Sequence, residues 1–263
     1  MKHVKAAALA LLLLPSAAPA ATSGWVETPG GSVRLIALPA DAGGTASALL
    51  DIRLNEGWKT YWRDPGGSGI PPSIAVSGAT LDTIGFPAPQ RLGGDDGHYI
   101  GYNAPVQFPL TLEKAKGGPV TAAIFLGMCK DICIPVQAEL TADASGEAFA
   151  SPLEQAALAD AEAKLPQAAT EGFRPLSGHF AADGKSIAVR FEAPADGPVP
   201  EVFVSGDSAL EFGASAPARR EGDAFVADVP VLHMPKAFDA AKAAIRLTVR
   251  AGTRTMEAPL PLD

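Results

Sequence analysis

Cysteine is almost missing from this chain: 263 residues hold two, Cys129 and Cys133. A framework of several disulfides is therefore excluded, and any sulfur chemistry rests on one pair. Aromatic residues are few, at 6 %. Basic residues are outnumbered, with 21 Lys and Arg against 29 Asp and Glu and a formal net charge of −8. That balance argues against a nucleic-acid or anionic-membrane partner. Beyond the first twenty residues no uncharged apolar run is long enough to span a bilayer. Glycine and proline, by contrast, are abundant at 27 and 24, as suits a turn-rich β protein.

The N-terminus has the features of a secretory signal. Lys2 and Lys5 precede the apolar run Ala6 to Leu14, and Ala18-Pro19-Ala20 supplies the small residues that signal peptidase reads. Cleavage is expected after Ala20, placing the product in an oxidising compartment where a disulfide persists. Removing these residues takes away two lysines and no acid. The remaining 19 basic and 29 acidic side chains leave a net charge of −10. About 240 mature residues suit two domains better than one.

Short strands dominate the mature chain. Val33 to Leu38 and Ala48 to Leu54 read as strands; in the second, Leu50, Ile52 and Leu54 alternate with Asp51 and Arg53. Asn55-Glu56-Gly57 turns the chain into Trp58-Lys59-Thr60-Tyr61-Trp62-Arg63-Asp64-Pro65-Gly66, where at least one tryptophan is expected to anchor a core. Ile74 to Val76, Leu81 to Phe86 and Val106 to Leu112 are further strands. Arg91 to Tyr102, with Asp95, Asp96, His98 and Tyr99, reads as a loop. Residues 24–145 are predicted to form an immunoglobulin-like β-sandwich. Ala142 to Ala150 reads as a linker.

Ser151-Pro152-Leu153-Glu154 reads as a capping box with proline at the first helical position. Leu153, Ala157, Leu158, Ala161 and Leu165 recur at helical spacing until Pro166. Strands are expected at Ile187 to Phe191, Val202 to Val204, Ala224 to Val229 and Ala244 to Val249. Residues 151–263 thus read as a helix plus a second β-rich domain, without a catalytic constellation. His179 and His233 have no cysteine or carboxylate cluster near them in sequence.

Only three residues separate the two cysteines. Val120 to Met128 and Ile132 to Leu140 are β-prone, which predicts a hairpin with Lys130, Asp131 and Ile132 at its tip. Cys129 and Cys133 then face each other at a separation a disulfide can bridge. Closing so short a loop yields roughly 2 kcal/mol in the chain-entropy model, little for a staple. At an exposed tip the pair suits reversible exchange instead. Lys130 favours a thiolate and Asp131 opposes it. Two other readings stay open: a binding module stapled by the bridge, and a Cu(I) site drawing on Cys129, Cys133, Met128 and His98. Cys-x3-Cys is no established metal spacing.

Gly57 to Gly66, Gly101-Tyr102 leading to Phe108-Pro109-Leu110, and Cys129 to Pro135 occur in an order and spacing that form a set. Together they resemble the N-terminal periplasmic domain of DsbD-type thiol:disulfide interchange proteins, closest to the copper-sensitivity-suppressor (ScsB-like) branch. The resemblance covers about residues 25 to 145 and implies an immunoglobulin-like fold. It also implies electron relay to periplasmic acceptors through a reversible Cys129–Cys133 disulfide. It makes Tyr61 an aromatic packed near the pair, and Gly93 to Tyr99 the cap that shields it. The implied partners are periplasmic thioredoxin-like or other disulfide-bearing proteins. A chain ending at Asp263 carries no transmembrane domain, so a separate membrane protein is expected to donate electrons if the pair is reducing. The implied class is a component of protein-disulfide reduction or interchange, with no cofactor and no resident metal.

Overall fold

The computed structural model describes residues 21–67, 69–94, 97–145, 151–206 and 210–263. The signal segment 1–20, Asp95 and Asp96, and most of the expected linker lie outside the described residues. In the first half the strands are β1 (Val26–Thr28), β2 (Gly31–Ala37), β3 (Ala46–Leu54), β4 (Lys59–Tyr61), β5 (Ser73–Ser77) and β6 (Thr80–Ile84). They continue as β7 (Gln90–Gly94), β8 (Gly97–Tyr102), β9 (Val106–Glu113), β10 (Pro119–Cys129) and β11 (Cys133–Asp143). One sheet runs β1-β2-β3-β9-β6 and the other β11-β10-β4-β8-β7, with β5 also paired to β10.

Period-two patterning explains the layering. On β3 and β9, Ala48, Leu50, Ile52, Phe108 and Leu110 turn inward, to meet Ile124, Leu126 and Leu140 of the facing sheet. Trp62, fully buried, fills the centre, while Trp58 packs half-buried at the edge. Burying each such large apolar side chain stabilises the sandwich by roughly 1.5–3 kcal/mol. The immunoglobulin-like expectation holds.

The Arg91 to Tyr102 stretch departs from its reading as a loop. It is the β7–β8 hairpin, with Arg91 opposite Ile100 and Leu92 opposite Tyr99. Ile100 and Tyr102 are buried, and β8 also pairs with β4, so packing outweighs the glycines that read as breakers. Gly101 is itself required there: a Cβ on it would lie 2.2 Å from the Thr60 carbonyl oxygen.

Helix α1 (Pro152–Ala163) starts at the expected capping box. The Ser151 hydroxyl accepts from Glu154 N–H at 3.3 Å, and the Glu154 carboxylate accepts from Ser151 N–H at 2.7 Å. The helix seats Leu158 and Ala161 on Ile36 and Leu49, the outer face of the first sheet. It therefore packs on the first sandwich, although its place in the sequence groups it with the second half. Leu153, expected on the apolar stripe, is 81 % exposed, because only the middle of the helix meets the sheet.

Beyond it lie β12 (Arg174–Phe180), β13 (Ser186–Glu192), β14 (Glu201–Ser205), β15 (Glu211–Phe212), β16 (Arg219–Glu221), β17 (Ala224–His233), β18 (Arg246–Ala251) and β19 (Arg254–Pro259). They form a β12-β13-β17-β15 sheet, with β16 paired to β17, and a β14-β18-β19 sheet. Phe173, Phe191, Phe212, Val229, Leu247 and Met256 are among the buried residues of this second core. Phe203 is the exception: it joins the first core, edge-on to Trp62 at 6.1 Å. Among the described residues no helix is long and apolar enough to cross a membrane.

Candidate functional site

The β10–β11 hairpin brings the cysteines together. Register runs from Pro119 opposite Asp143 to Cys129 opposite Cys133, leaving Lys130, Asp131 and Ile132 at the tip. Lys130 N–H donates to the Ile132 carbonyl at 3.1 Å. The hydrogen-bonding alternation of antiparallel strands then makes Cys129 and Cys133 a non-hydrogen-bonded pair, the closer kind. Their Cα atoms are 4.1 Å apart and their sulfurs are bonded.

The two cysteines differ in exposure. Cys129 is 4 % exposed, whereas Cys133 is an exposed residue beside Ile132, which is 69 % exposed.

Tyr61 on β4 completes the site. Its phenol oxygen lies 3.0 Å from Cys129 Sγ and 3.1 Å from Cys133 Sγ. Disulfide sulfurs carry no hydrogen, so the phenol is the donor, its single hydrogen shared between them. Burial pushes the Tyr61 phenol above its ordinary value, which keeps it a donor throughout the neutral range. β4 is held to β10 by Thr60, whose hydroxyl donates to the Gly127 carbonyl at 2.9 Å.

Sequence reasoning missed Gly127. A Cβ there would meet the Tyr61 ring at 2.9 Å and Ile70 Cβ at 3.0 Å. The bare glycine lets the ring lie across β10 and reach the sulfurs. The available signal was a glycine interrupting an apolar strand one position before the Met128-Cys129 pair, which marks close approach of another group.

The other expected site residues divide. The Tyr99 ring packs edge-on against Tyr61 at 5.7 Å, and Lys59 Nζ sits 4.5 Å from its centroid. Tyr99 therefore reaches the disulfide through Tyr61. His98 is on β8 opposite Gly93, and nothing is described of its side chain; Asp95 and Asp96 lie outside the described residues. Met128 is turned away from the sulfurs. Neighbouring strand residues face opposite sides, and its thioether accepts from the Thr28 hydroxyl at 3.3 Å within the core. A Cu(I) site using Met128 together with the cysteines does not fit this backbone. Among the described residues, no three His, Cys, Asp or Glu side chains gather where they could hold a metal ion.

Known proteins place this geometry. Residues 33–145 match the family model described as the thiol:disulfide interchange protein DsbD, N-terminal. The solved N-terminal periplasmic domain of ScsB from Proteus mirabilis is 22 % identical with a TM-score of 0.74. That match covers 92 % of this chain and 99 % of that one. Among curated proteins none matches. Residues 33–145 are thus similar to the N-terminal domain of DsbD-type thiol:disulfide interchange proteins, and the chain shares the fold of the ScsB periplasmic domain.

Proposed function

We propose that this chain is a periplasmic thiol:disulfide interchange protein in which Cys133 is the attacking sulfur and Cys129 the resolving one. The observation that carries this reading is the unequal exposure of two cysteine residues whose sulfurs share one phenol donor. In the reducing direction the Cys133 thiolate attacks a partner disulfide, forming a mixed disulfide and releasing one partner thiolate. The Cys129 thiolate then attacks Cys133 Sγ, closing the internal bond and releasing the second partner thiolate. Two electrons pass to the partner, whose thiolates take up protons from solvent. The buried phenol of Tyr61 stabilises whichever sulfur carries negative charge along the way.

The partners on this reading are thioredoxin-like or other disulfide-bearing proteins. The secretory pattern of the N-terminus and the likeness to a periplasmic domain support a periplasmic location. The β7–β8 hairpin acts as the cap, with Tyr99 bearing on Tyr61 and slowing thiols other than the partner's. Replacing Gly93 to Tyr99 by a tight turn tests the cap. Faster alkylation of the reduced pair supports it, and an unchanged rate in a folded variant removes it.

Partner trapping tests the reaction itself. Cys129→Ala leaves Cys133 free to attack but unable to be resolved. It is expected to accumulate mixed disulfides in the periplasm, whereas Cys133→Ala does not. Equal trapping by both variants contradicts the assignment of roles, and trapping by neither contradicts exchange.

A further inference from the structure

Both elements that cover the sulfurs are also gripped from the second β region. β4 supplies Tyr61, and the next three residues cross to that region. The Trp62 ring meets Phe203 edge-on at 6.1 Å. Arg63 Nη2 donates to Glu257 Oε2 at 2.7 Å, and Asp64 Oδ2 accepts from Phe212 N–H at 3.4 Å. Glu257 is fixed in turn by Arg246 Nε at 2.9 Å and by the Thr248 hydroxyl at 2.8 Å.

The hairpin that supplies Tyr99 is held in the same way. It is entered through Pro87-Ala88-Pro89, whose two prolines have no N–H with which to pair as a strand. The carbonyls of this segment need partners none the less. The Tyr102 hydroxyl donates to the Pro87 carbonyl at 2.8 Å. Arg250 Nη2, from β18, donates to the Ala88 and Pro89 carbonyls at 2.5 and 2.7 Å. On β7 itself, Arg91 Nη2 donates to Ser215 Oγ at 2.7 Å, and buried Ser215 donates to the Val202 carbonyl at 3.3 Å.

We propose that Arg63, Arg91 and Arg250 are positioning residues for the disulfide: they brace the Tyr61 strand and the Tyr99 hairpin against the second β region. The brace holds Tyr61 on Cys129 and Cys133, and Tyr99 against Tyr61. The inference rests on the exchange reading and gives the second β region a task in it. Tyr61 lies on both sulfurs and Tyr99 lies on Tyr61, so the brace sets how readily this cover yields to a thiol approaching the bond. A brace of this kind acts on the rate of access. Loosening the Tyr99 hairpin alone leaves the equilibrium between dithiol and disulfide unchanged, because neither Tyr99 nor Arg91 nor Arg250 touches a sulfur.

The test uses the full chain. Arg91→Met with Arg250→Met removes the grip on the hairpin, and the rate at which dithiothreitol reduces the Cys129–Cys133 bond is then measured. Reduction is expected to run at least fivefold faster, with the reduction potential unchanged and with Arg250→Lys partly restoring the native rate. A folded variant whose rate stays within twofold of the native value overturns the brace. So does an acceleration that travels with a shifted potential, because that signals general loosening of the site. Ser215→Ala and Glu257→Gln are milder substitutions on the far side of the interface. They serve the same comparison if the arginine variants fail to fold. Failure of the exchange reading is distinguishable: it shows as a potential in the range of structural disulfides, whatever the rates do.

Discussion

Tyr61 and Cys129 stand 68 positions apart in the chain, yet the phenol oxygen of one lies 3.0 Å from the sulfur of the other. The contact exists because β4 pairs with β10 and because Gly127 leaves room for the ring between them. It places a protonated, buried donor at a sulfur that becomes a thiolate in the proposed exchange.

Tyr61→Phe keeps the ring and removes the donor. A hydrogen bond to a charged group is worth about 1.5–3 kcal/mol, and one pKa unit corresponds to about 1.4 kcal/mol. The thiol pKa of the reduced pair is therefore expected to rise by roughly one to two units. The pH profile of alkylation by iodoacetamide reads this directly, and a superimposable profile removes Tyr61 from the mechanism.

Gly127→Val is expected to act on the same contact from the other side. The added Cβ would lie 2.9 Å from the Tyr61 ring, closer than real Cβ atoms come, and a tight 3.0 Å from Ile70 Cβ, at a cost typical of overpacking, about 1–3 kcal/mol. Thermal melts should show the destabilisation, and the alkylation profile should shift towards that of Tyr61→Phe. A variant with native stability and a native profile would show that the ring does not need this gap.

Much of the site is legible in the sequence. The Cys129-Cys133 hairpin, its tip and the opposed register follow from two β-prone runs flanking Lys130-Asp131, because period-two patterning and a short turn specify register locally. The capping box at Ser151 is equally local. The unequal exposure of the two cysteines and the role of Gly127 are not legible, because both depend on which strand lies alongside β10. The same holds for α1, whose apolar stripe does not reveal the sheet it will cover. The β7–β8 hairpin reads as a loop because its glycines are local breakers, while the burial of Ile100 and Tyr102 that overrides them is tertiary.

Removing the disulfide should cost little. Cys129→Ser with Cys133→Ser is expected to lower stability by about 2 kcal/mol or less, since the closed loop is short and the core lies elsewhere. Denaturant melts of the double variant give the number. Loss of cooperative unfolding would return the bond to a structural role.

Asp64 adds a pH dependence at the junction with the second β region. Burial, opposed in part by the N–H groups of Gly66 and Phe212, raises its carboxyl from 3.8 to about 7. The folded state thus holds a proton that the unfolded state releases above pH ~4. Stability from this group is full below the unfolded value and falls as pH rises towards 7. Asp64→Asn keeps an acceptor for Phe212 N–H and removes the charge. It is expected to leave stability near pH 4 almost unchanged and to raise it by a few kcal/mol near pH 8, on the order set by the shift. Melts at the two pH values check this, and equal effects at both would contradict a buried, proton-binding Asp64.

The reduction potential of the Cys129–Cys133 pair tests the central claim most directly. Equilibration with a glutathione or dithiothreitol series measures it, with the two redox forms separated by alkylation. A working exchange pair is expected above roughly −300 mV, among the thiol:disulfide oxidoreductases. A value well below roughly −300 mV would place the bond among structural disulfides and contradict the exchange function.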